Sequence, residues 1–505
     1  MTKEMSPMLL APDAPAASAW TTSMLIGGRP VPGRGEPVRV TNPSTGQLTT
    51  EFAGASLDQV RQAIAAARAA FDHGTWPDLP AGERVAILRR FQARLAERID
   101  ELKALIITET GVPVSSPALA FQVDNPIAQM PPMLDLYLRL PEIEENPLTL
   151  EERVSPFGGM LQSLRRYVPV GVVAGISAYN FPVYIGLWKI FPALATGNTV
   201  ILRPSPLTPL STLWIGEVAA AAGLPDGVLN IVAEAGAEGA ELLTTDPAVD
   251  MVTFTGSCGI GKKVAKQASA TLKHVHLELG GKSAQIFLPD RVDQAGQAPI
   301  GVCISHAGQG CVLGTRVFVP EADKPRVLEA MKASLDVLKI GDSTDRETLL
   351  GPVISEAQVQ RCERYVRLAV EAGATVVAGG RRVDRPGFYF EPTVLDVPDN
   401  RNPAAQDEIF GPVVCVIGYR DIDHAIEMAN DTRFGLSGYV HGKDARQALA
   451  VARRMRTGTI NVNAFVNSAN VSSGGHRESG LGRERGIEGI RAFQEIQCMN
   501  LGTAN

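Results

Sequence analysis

Cysteine is scarce in this chain. There are six in 505 residues, at positions 258, 303, 311, 362, 415 and 498, with no CxxC spacing among them. That pattern offers neither a disulfide framework nor a zinc site, and it suits a reducing, cytoplasmic setting. A basic surplus is lacking too: Lys and Arg total 48 against 54 Asp and Glu, for a net charge of −6. A nucleic-acid or anionic-membrane partner needs a basic face, so neither is expected. No apolar run approaches the ~18 residues of a transmembrane helix. Within the first twenty residues the longest apolar run is Met8–Ala11, too short for a signal-peptide core. Residues 1–20 are Ala/Pro/Ser-rich and are expected to form a flexible tail. No internal repeat of solenoid length is visible.

What is there is ordinary for a folded chain: 45% hydrophobic and 20% charged. The length exceeds one core, so two or three domains are expected. Short apolar pieces cut by Gly and Pro between Ser23 and Phe52 predict small strands and turns. Ser56 followed by Gln59 is a capping-box pattern opening a helix. Val85, Leu88, Phe91, Leu95, Ile99, Leu102 and Leu105 recur every three or four residues. They predict one helix from about Ala81, ended by Gly111. A third helical stretch is expected over Pro117–Leu138. Leu140–Tyr167 is charged, proline-interrupted and without helical period, and reads as an excursion from its domain.

A regular alternation follows. Segments 170–177, 199–205, 228–233, 251–256 and 274–280 are near-continuous apolar strands with helical patterns between them. Such strands predict a parallel sheet covered on both faces, with ligands bound beyond the strands' carboxyl ends. After Gly281 a second alternation begins with SAQIFLP and TRVFVP and continues through TVVAGG, VVCVIGY, SGYVHG and GTINVN, a second α/β domain. The C-terminal AFQEIQCMNL reads as a strand. Its partner is either the Leu140–Tyr167 excursion or another subunit.

Five short stretches carry residues suited to chemistry. Ile304–Arg316, reading ISHAGQGCVLGTR, sets Cys311 among Gly308, Gly310 and Gly314. The thiol is either a small buried hydrophobe or a nucleophile with open space around it. In MVTFTGSCGIGKK, glycines 256, 259 and 261 follow a strand and precede a helix. This is a phosphate cradle assisted by Ser257, or a plain βα turn. In HVHLELGGKS, Glu278 lies between two leucines. A carboxylate on an apolar strand is costly and has a raised pKa, which suits general acid–base work; a solvated strand end is the alternative. Asn180 in ISAYNFP either caps the next helix or donates to a developing oxyanion. Glu408 and Phe410 in DEIFGPV offer an acceptor for a ribose hydroxyl and a ring for a planar heterocycle, or form a simple loop.

Taken together and in order, YNFP, FTGS, LELGGK, GQGC, EIFGP and SGLGRE resemble the NAD(P)-dependent aldehyde dehydrogenase superfamily, from about Met24 to Asn500. The resemblance implies an α/β fold with a Rossmann-type cofactor domain (21–139 and 168–279) and a second α/β catalytic domain (280–484). It also implies a β oligomerisation arm (140–167 and 485–505) and a homodimer or homotetramer. The implied cofactor is NAD, with NADP possible; no metal is implied. The implied reaction is oxidation of an aldehyde to the acid. Cys311 would attack the aldehyde carbon, Asn180 and the Cys311 N–H would hold the thiohemiacetal oxyanion, and Glu278 would activate the water that hydrolyses the thioester. Glu484 and Lys189 resemble proton-relay residues. For the cofactor, Gly256 and Ser257 correspond to pyrophosphate contacts and Phe254, Ile260 and Gly236 to the adenine lining. Arg203 falls near the adenosine ribose, Glu408 on the nicotinamide ribose and Phe410 beside the nicotinamide. Ile176, Ser177, Tyr179, Ser205 and Leu279 complete that set. Phe181, Ile185, Trp188, Val312 and Phe465 would line the substrate tunnel, with Met130 or Met133 contributing.

The chain also departs from the family pattern. Tyr179 stands where Trp is usual, Arg203 where Lys is usual, and Pro206 where NAD-preferring members carry a ribose-binding Glu. A guanidinium without that carboxylate is expected to ease acceptance of a 2′-phosphate. Cys258 replaces Thr, and SSGGHRESG brings His476 and Arg477 to a loop near the substrate mouth. The apolar, aromatic lining favours a hydrophobic aldehyde, aryl or medium-chain alkyl, while Arg477 leaves an anionic semialdehyde open. Glu278 argues against a CoA-acylating member. The joint presence of Cys311, Glu278, Asn180 and Glu408 argues against a silent binding protein.

Overall fold

The five apolar segments between residues 170 and 280 form the strands Val172–Ile176, Thr199–Arg203, Leu229–Ile231, Met251–Thr255 and His274–Glu278, all parallel. They sit within an eight-stranded sheet. Antiparallel Met24–Ile26 and Arg29–Val31 flank them on one side and Gly480–Leu481 on the other. Every residue of Val172–Ile176 is buried, which is why the segment shows no alternation: helices cover both faces. The register sets Ile176 beside Arg203 and Phe254, and Thr255 beside Glu278. The carboxyl ends of four neighbouring strands thus meet along one edge of the sheet, where open α/β sheets bind ligands.

This geometry comes from a computed structural model that describes residues 20–156 and 158–502. The tail expected over residues 1–20 lies outside the described residues except for Trp20. Around the sheet, the capping box forms as expected, with Ser56 and Gln59 closing the N-terminus of helix Leu57–Asp72. The helix expected from Ala81 is two helices, Ala81–Glu97 and Ile99–Thr110, broken at Arg98 and ended by left-handed Gly111 (φ 74°). One apolar stripe runs across the break because both pieces pack on the same core. The stretch 117–138 is likewise split, into Pro117–Gln122 and Asp124–Leu138, at Val123.

The second sheet has seven strands, in the order Thr375–Ala378, Thr393–Asp396, Val413–Tyr419, Arg316–Pro320, Ala284–Phe287, Ser437–His441 and Thr459–Val462. Only the Thr375–Ala378 pairing is antiparallel. Each large sheet has its own apolar core. The C-terminal strand Gln494–Gly502 pairs antiparallel with Leu161–Pro169, which also pairs with Ile143–Glu145. Of the two partners open to it from the sequence, it takes the excursion of its own chain. Among the described residues, no helix is long and apolar enough to cross a membrane.

Candidate active site

Cys311 lies on the loop between the short helix Ala298–Cys303 and the strand Arg316–Pro320. The approach to it is strained: His306, Ala307 and Gly308 are all left-handed, with φ of 53°, 51° and 75°. Two of these are not glycine, and such runs persist only where surrounding contacts impose them. Gln309 supplies those contacts. Its side chain donates to the His306 carbonyl at 3.0 Å and accepts from the Ile354 N–H at 3.0 Å. The glycines around Cys311 are also places of close packing. A Cβ at Gly308 would run into the Gly411 carbonyl, one at Gly310 into Leu313, and one at Gly314 into Gln285. Their missing side chains let the loop pack tightly against these neighbours, and Gly310 and Gly314 also lie on the cavity wall beside Cys311. Burial first, then the Glu408 and Glu278 carboxylates, push the Cys311 thiol up to about 12. The free thiol therefore holds its proton near neutral pH.

Asn180 does not cap the helix Pro182–Ala195; the position before Pro182 is Phe181, which makes no side-chain cap. The buried amide instead donates to the Gln309 carbonyl at 2.8 Å, two residues before Cys311. Glu278 closes its strand in a largely buried position with Oε1 lacking a hydrogen-bond partner. Burial raises its carboxyl above the usual range against the opposing pull of His276. Lys189 is fully buried and donates to Glu484 at 3.1 Å and to the Thr253 hydroxyl at 2.9 Å. Burial works against the Glu484 charge, but the Lys189 ammonium and His276 hold the group below the usual carboxylate range.

One cavity of about 1190 Å³ gathers these groups; Cys311, Glu278, Asn180 and Glu484 are all on its wall, and Lys189 lies behind it. Phe181, Ile185, Val312 and Phe465 are on its wall. Trp188, by contrast, is off the wall: it is 1% exposed, in the core behind Tyr184. Met130 and Met133 are likewise core residues, fully buried and away from the cavity. Arg477 does not reach the cavity either, because its guanidinium donates to the Asn430 and Thr432 carbonyls.

Several lining residues were not anticipated. Phe121 stacks on Tyr184 at 5.2 Å and meets Phe181 edge-on at 5.6 Å, and Phe465 lies 6.3 Å away. Tyr184 was within reach of sequence reasoning, standing three residues after Phe181 on one helix face. The Asn467 amide oxygen accepts from Tyr184 and Arg485, and both Asn467 and Arg485 are on the wall.

The other end of the cavity fits a dinucleotide. Ile176, Ser177, Tyr179, Arg203, Ser205, Phe254, Gly256, Ser257, Ile260, Leu279, Glu408 and Phe410 line it. The Ser177 hydroxyl is buried without a partner, as is that of Thr255. Ser257, on the cavity wall, caps helix Cys258–Ala268, and a helix N-terminus at that place suits an anionic group. Glu408 accepts from the Gly281 N–H at 3.0 Å, and Phe410 meets Tyr179 edge-on at 5.9 Å. Gly236 is off the wall, its carbonyl accepting from Arg203 at 2.5 Å. The Arg203 guanidinium is engaged at two of its nitrogens, with Glu234 Oε1 accepting from Nε at 2.9 Å and the Gly236 carbonyl from Nη2. Glu234 in turn accepts from the Gly239 and Ala240 N–H groups at 2.6 and 2.9 Å.

A cysteine, a buried carboxylate and a buried amide around one dinucleotide-sized cavity can be compared with known proteins. The profile of the aldehyde dehydrogenase family matches residues 31–499. The chain belongs to the aldehyde dehydrogenase family. As an aldehyde dehydrogenase it is 37% identical over 463 residues to geranial dehydrogenase of Castellaniella defragrans, which covers 92% of this chain and 95% of that protein. Among solved structures, a cysteine-to-alanine mutant of aldehyde dehydrogenase C from Pseudomonas syringae, complexed with NAD+ and octanal, is similar with a TM-score of 0.88. It is 34% identical and covers 95% of this chain and 96% of that one. An aldehyde dehydrogenase of Mycobacterium tuberculosis complexed with NAD+ also has a TM-score of 0.88, at 37% identity, covering 94% of this chain and 97% of that one.

Proposed function

We propose that this aldehyde dehydrogenase oxidises a hydrophobic aldehyde, aryl or medium-chain alkyl, to the carboxylic acid with NAD, through a Cys311 thioester hydrolysed with Glu278 as base. The carrying observation is that Cys311, Asn180 and Glu278 share one cavity whose far wall is the aromatic group Phe121, Phe181, Tyr184 and Phe465. The relatives named for geranial and complexed with octanal support the same substrate class.

The Cys311 thiol releases its proton to solvent in the cavity, and the thiolate adds to the aldehyde carbon. The carbonyl π pair moves to oxygen. That oxyanion is held by the Asn180 N–H left free by Gln309 and by the Cys311 backbone N–H. Ser177, Ser257, Glu408 and Phe410 would hold the nicotinamide cofactor, which when bound supplies the acceptor for the hydride that leaves the thiohemiacetal carbon. In the resulting thioester, Glu278 as carboxylate takes a proton from water as its oxygen adds to the carbonyl carbon. The C–S bond then breaks and the acid departs. Before each new turnover Glu278 must lose its proton, and the buried Lys189–Glu484 pair is the charged group nearest that task.

A cytosolic location, the division into 21–139 with 168–279, 280–484, and 140–167 with 485–505, and a homodimer or homotetramer built through the last of these belong to the same proposal. Gln494–Gly502 supports the oligomer, since it is an edge strand with Ile496 and Leu501 exposed.

The test is a panel of aryl, alkyl and anionic aldehydes with NAD, followed at the NADH absorbance, with Cys311→Ala as control. Octanal-like and aryl substrates should give the highest kcat/KM, and Cys311→Ala should give none. A preference for short anionic semialdehydes would overturn the substrate class.

A further inference from the structure

His276 stands two residues before Glu278 on one strand, so both side chains leave the same face of the sheet. The ring is 2% exposed. Its Nδ1 lies 3.1 Å from the Thr253 hydroxyl oxygen on the neighbouring strand. Its Nε2 lies 3.5 Å from Glu278 Oε1, and both of those buried atoms lack any other partner. Buried polar atoms are nearly always satisfied, so two orphans facing each other mark an interaction that closes when the site is at work.

Hydrogen-bond directions run one way along this chain. Lys189 can only donate, so the Thr253 oxygen accepts from it at 2.9 Å. In the tautomer with Nδ1 as acceptor, the hydroxyl proton of Thr253 goes to His276 Nδ1. That leaves the ring N–H on Nε2, aimed at Glu278 Oε1. The fold makes room for the ring: a Cβ at Gly482, itself left-handed at φ 88°, would lie 2.5 Å from His276 Cδ2. Gly474 crowds Glu278 from the other side, a Cβ there lying 2.7 Å from Oε1. The carboxylate is therefore confined between a close backbone wall and the imidazole.

We propose that His276 is a positioning residue for the water-activating carboxylate, holding Glu278 through Nε2–H and linking it through Thr253 to the Lys189–Glu484 pair. The proposal rests on Glu278 acting as the base. The charged or titratable groups facing this cluster are Glu278 on the same strand, Tyr184 and Lys189 from the helix Pro182–Ala195, and Glu484 with Arg483 and Arg485 beside it. Cys311 lies across the cavity. A donor on Oε1 stabilises the ionised carboxylate against its burial, so loss of the imidazole moves Glu278 toward the protonated form.

The experiment compares His276→Ala, His276→Gln, Thr253→Val and Glu278→Gln in the full-length enzyme. It follows the single-turnover NADH burst and the steady-state rate from about pH 5.5 to about pH 9.5. Expected for His276→Ala is a retained burst, a steady-state rate about tenfold lower near neutrality, and an acidic limb moved up by about one pH unit. His276→Gln, which keeps an N–H near the Nε2 position, should return the limb toward wild type. Thr253→Val keeps the shape but releases the ring, and should move the limb in the same direction; it serves where His276→Ala does not fold.

A uniform loss at every pH with the limb unmoved, or His276→Gln no better than Ala, would overturn the proposal and leave His276 as packing. Glu278→Gln separates the two readings. Unchanged steady-state turnover in that variant removes Glu278 as base and the proposal with it. Lost turnover there, with the His276→Ala limb unmoved, sinks the His276 role alone.

Discussion

Asn180 gives one amide N–H to the Gln309 carbonyl at 2.8 Å, and that bond aims the other. In the proposed reaction, an amide held at one proton by a backbone oxygen two residues from Cys311 cannot rotate away when charge develops at the aldehyde oxygen. A donor fixed before the reaction costs no reorganisation during it, which is where oxyanion stabilisation gains its size.

Asn180→Ala should lower kcat/KM by about 10²–10³, or roughly 2.7–4 kcal/mol of transition-state stabilisation. Cofactor affinity, measured by fluorescence titration, should stay close to wild type. Asn180→Asp should be at least as damaging, since a carboxylate would repel both the Gln309 carbonyl and the oxyanion. A variant that loses cofactor binding but keeps kcat would move Asn180 out of the oxyanion role.

The thiol of Cys311 makes a second prediction with a definite sign. Burial and two nearby carboxylates push it up to about 12, so the free enzyme carries little thiolate at neutral pH. Only the thiolate is alkylated. Iodoacetamide labelling of the cofactor-free enzyme at this site should therefore be slow near neutrality. It should rise steadily with pH, with no plateau below about pH 10. Peptide mapping after timed labelling reads this directly. A rate already level at neutral pH would show an ionised resting thiol.

The parallel strands could be read in the sequence because a sheet covered on both faces demands unbroken apolar runs, and Val172–Ile176 and Met251–Thr255 are such runs. Thr393–Asp396 could not: TVLD is four residues between prolines, with too little pattern to separate from a loop. The break at Arg98 was hidden because the apolar stripe continues through it. Trp188 cannot be told from a wall residue in the sequence, because helix Pro182–Ala195 is buried nearly all round and periodicity does not say which side faces the cavity. His276 left a trace in the sequence, a histidine at strand spacing from Glu278. Its meaning depends on Thr253, Lys189 and Gly482, which only the folded register brings together.

Arg203 was expected to favour a 2′-phosphate, yet its guanidinium is paired with Glu234 at 2.9 Å with both side chains under 10% exposed. A phosphate arriving there would compete with a carboxylate already in place and anchored by two backbone N–H groups. Glu234→Gln keeps one acceptor oxygen for those N–H groups and removes the charge. The variant should bind NADP about tenfold tighter relative to NAD than wild type does, by fluorescence titration. Arg203→Ala in the Glu234→Gln background should cancel the gain. An unchanged NADP-to-NAD ratio in Glu234→Gln would mean this pair lies outside the reach of the 2′ position.

Glu109 carries a stability prediction away from the chemistry. Its fully buried carboxyl accepts from the Leu210 and Ser211 N–H groups at 2.8 and 3.1 Å, at the start of helix Leu210–Ala221. Burial outweighs those bonds and raises its pKa from 4.5 to about 7. A raised acid favours the folded state least when ionised. Below pH 4.5 both states hold the proton and there is no penalty. As pH rises from there to about 7, the unfolded chain releases its proton while the folded chain keeps it, and stability falls by about 3 kcal/mol. Glu109→Gln cannot ionise and escapes that loss. Its Tm minus that of wild type should therefore climb by a few degrees between about pH 5 and pH 8, whatever its sign at the acidic end. A difference that stays flat across that range would show that Glu109 is ionised in the fold throughout, held by the helix N-terminus more firmly than burial opposes it.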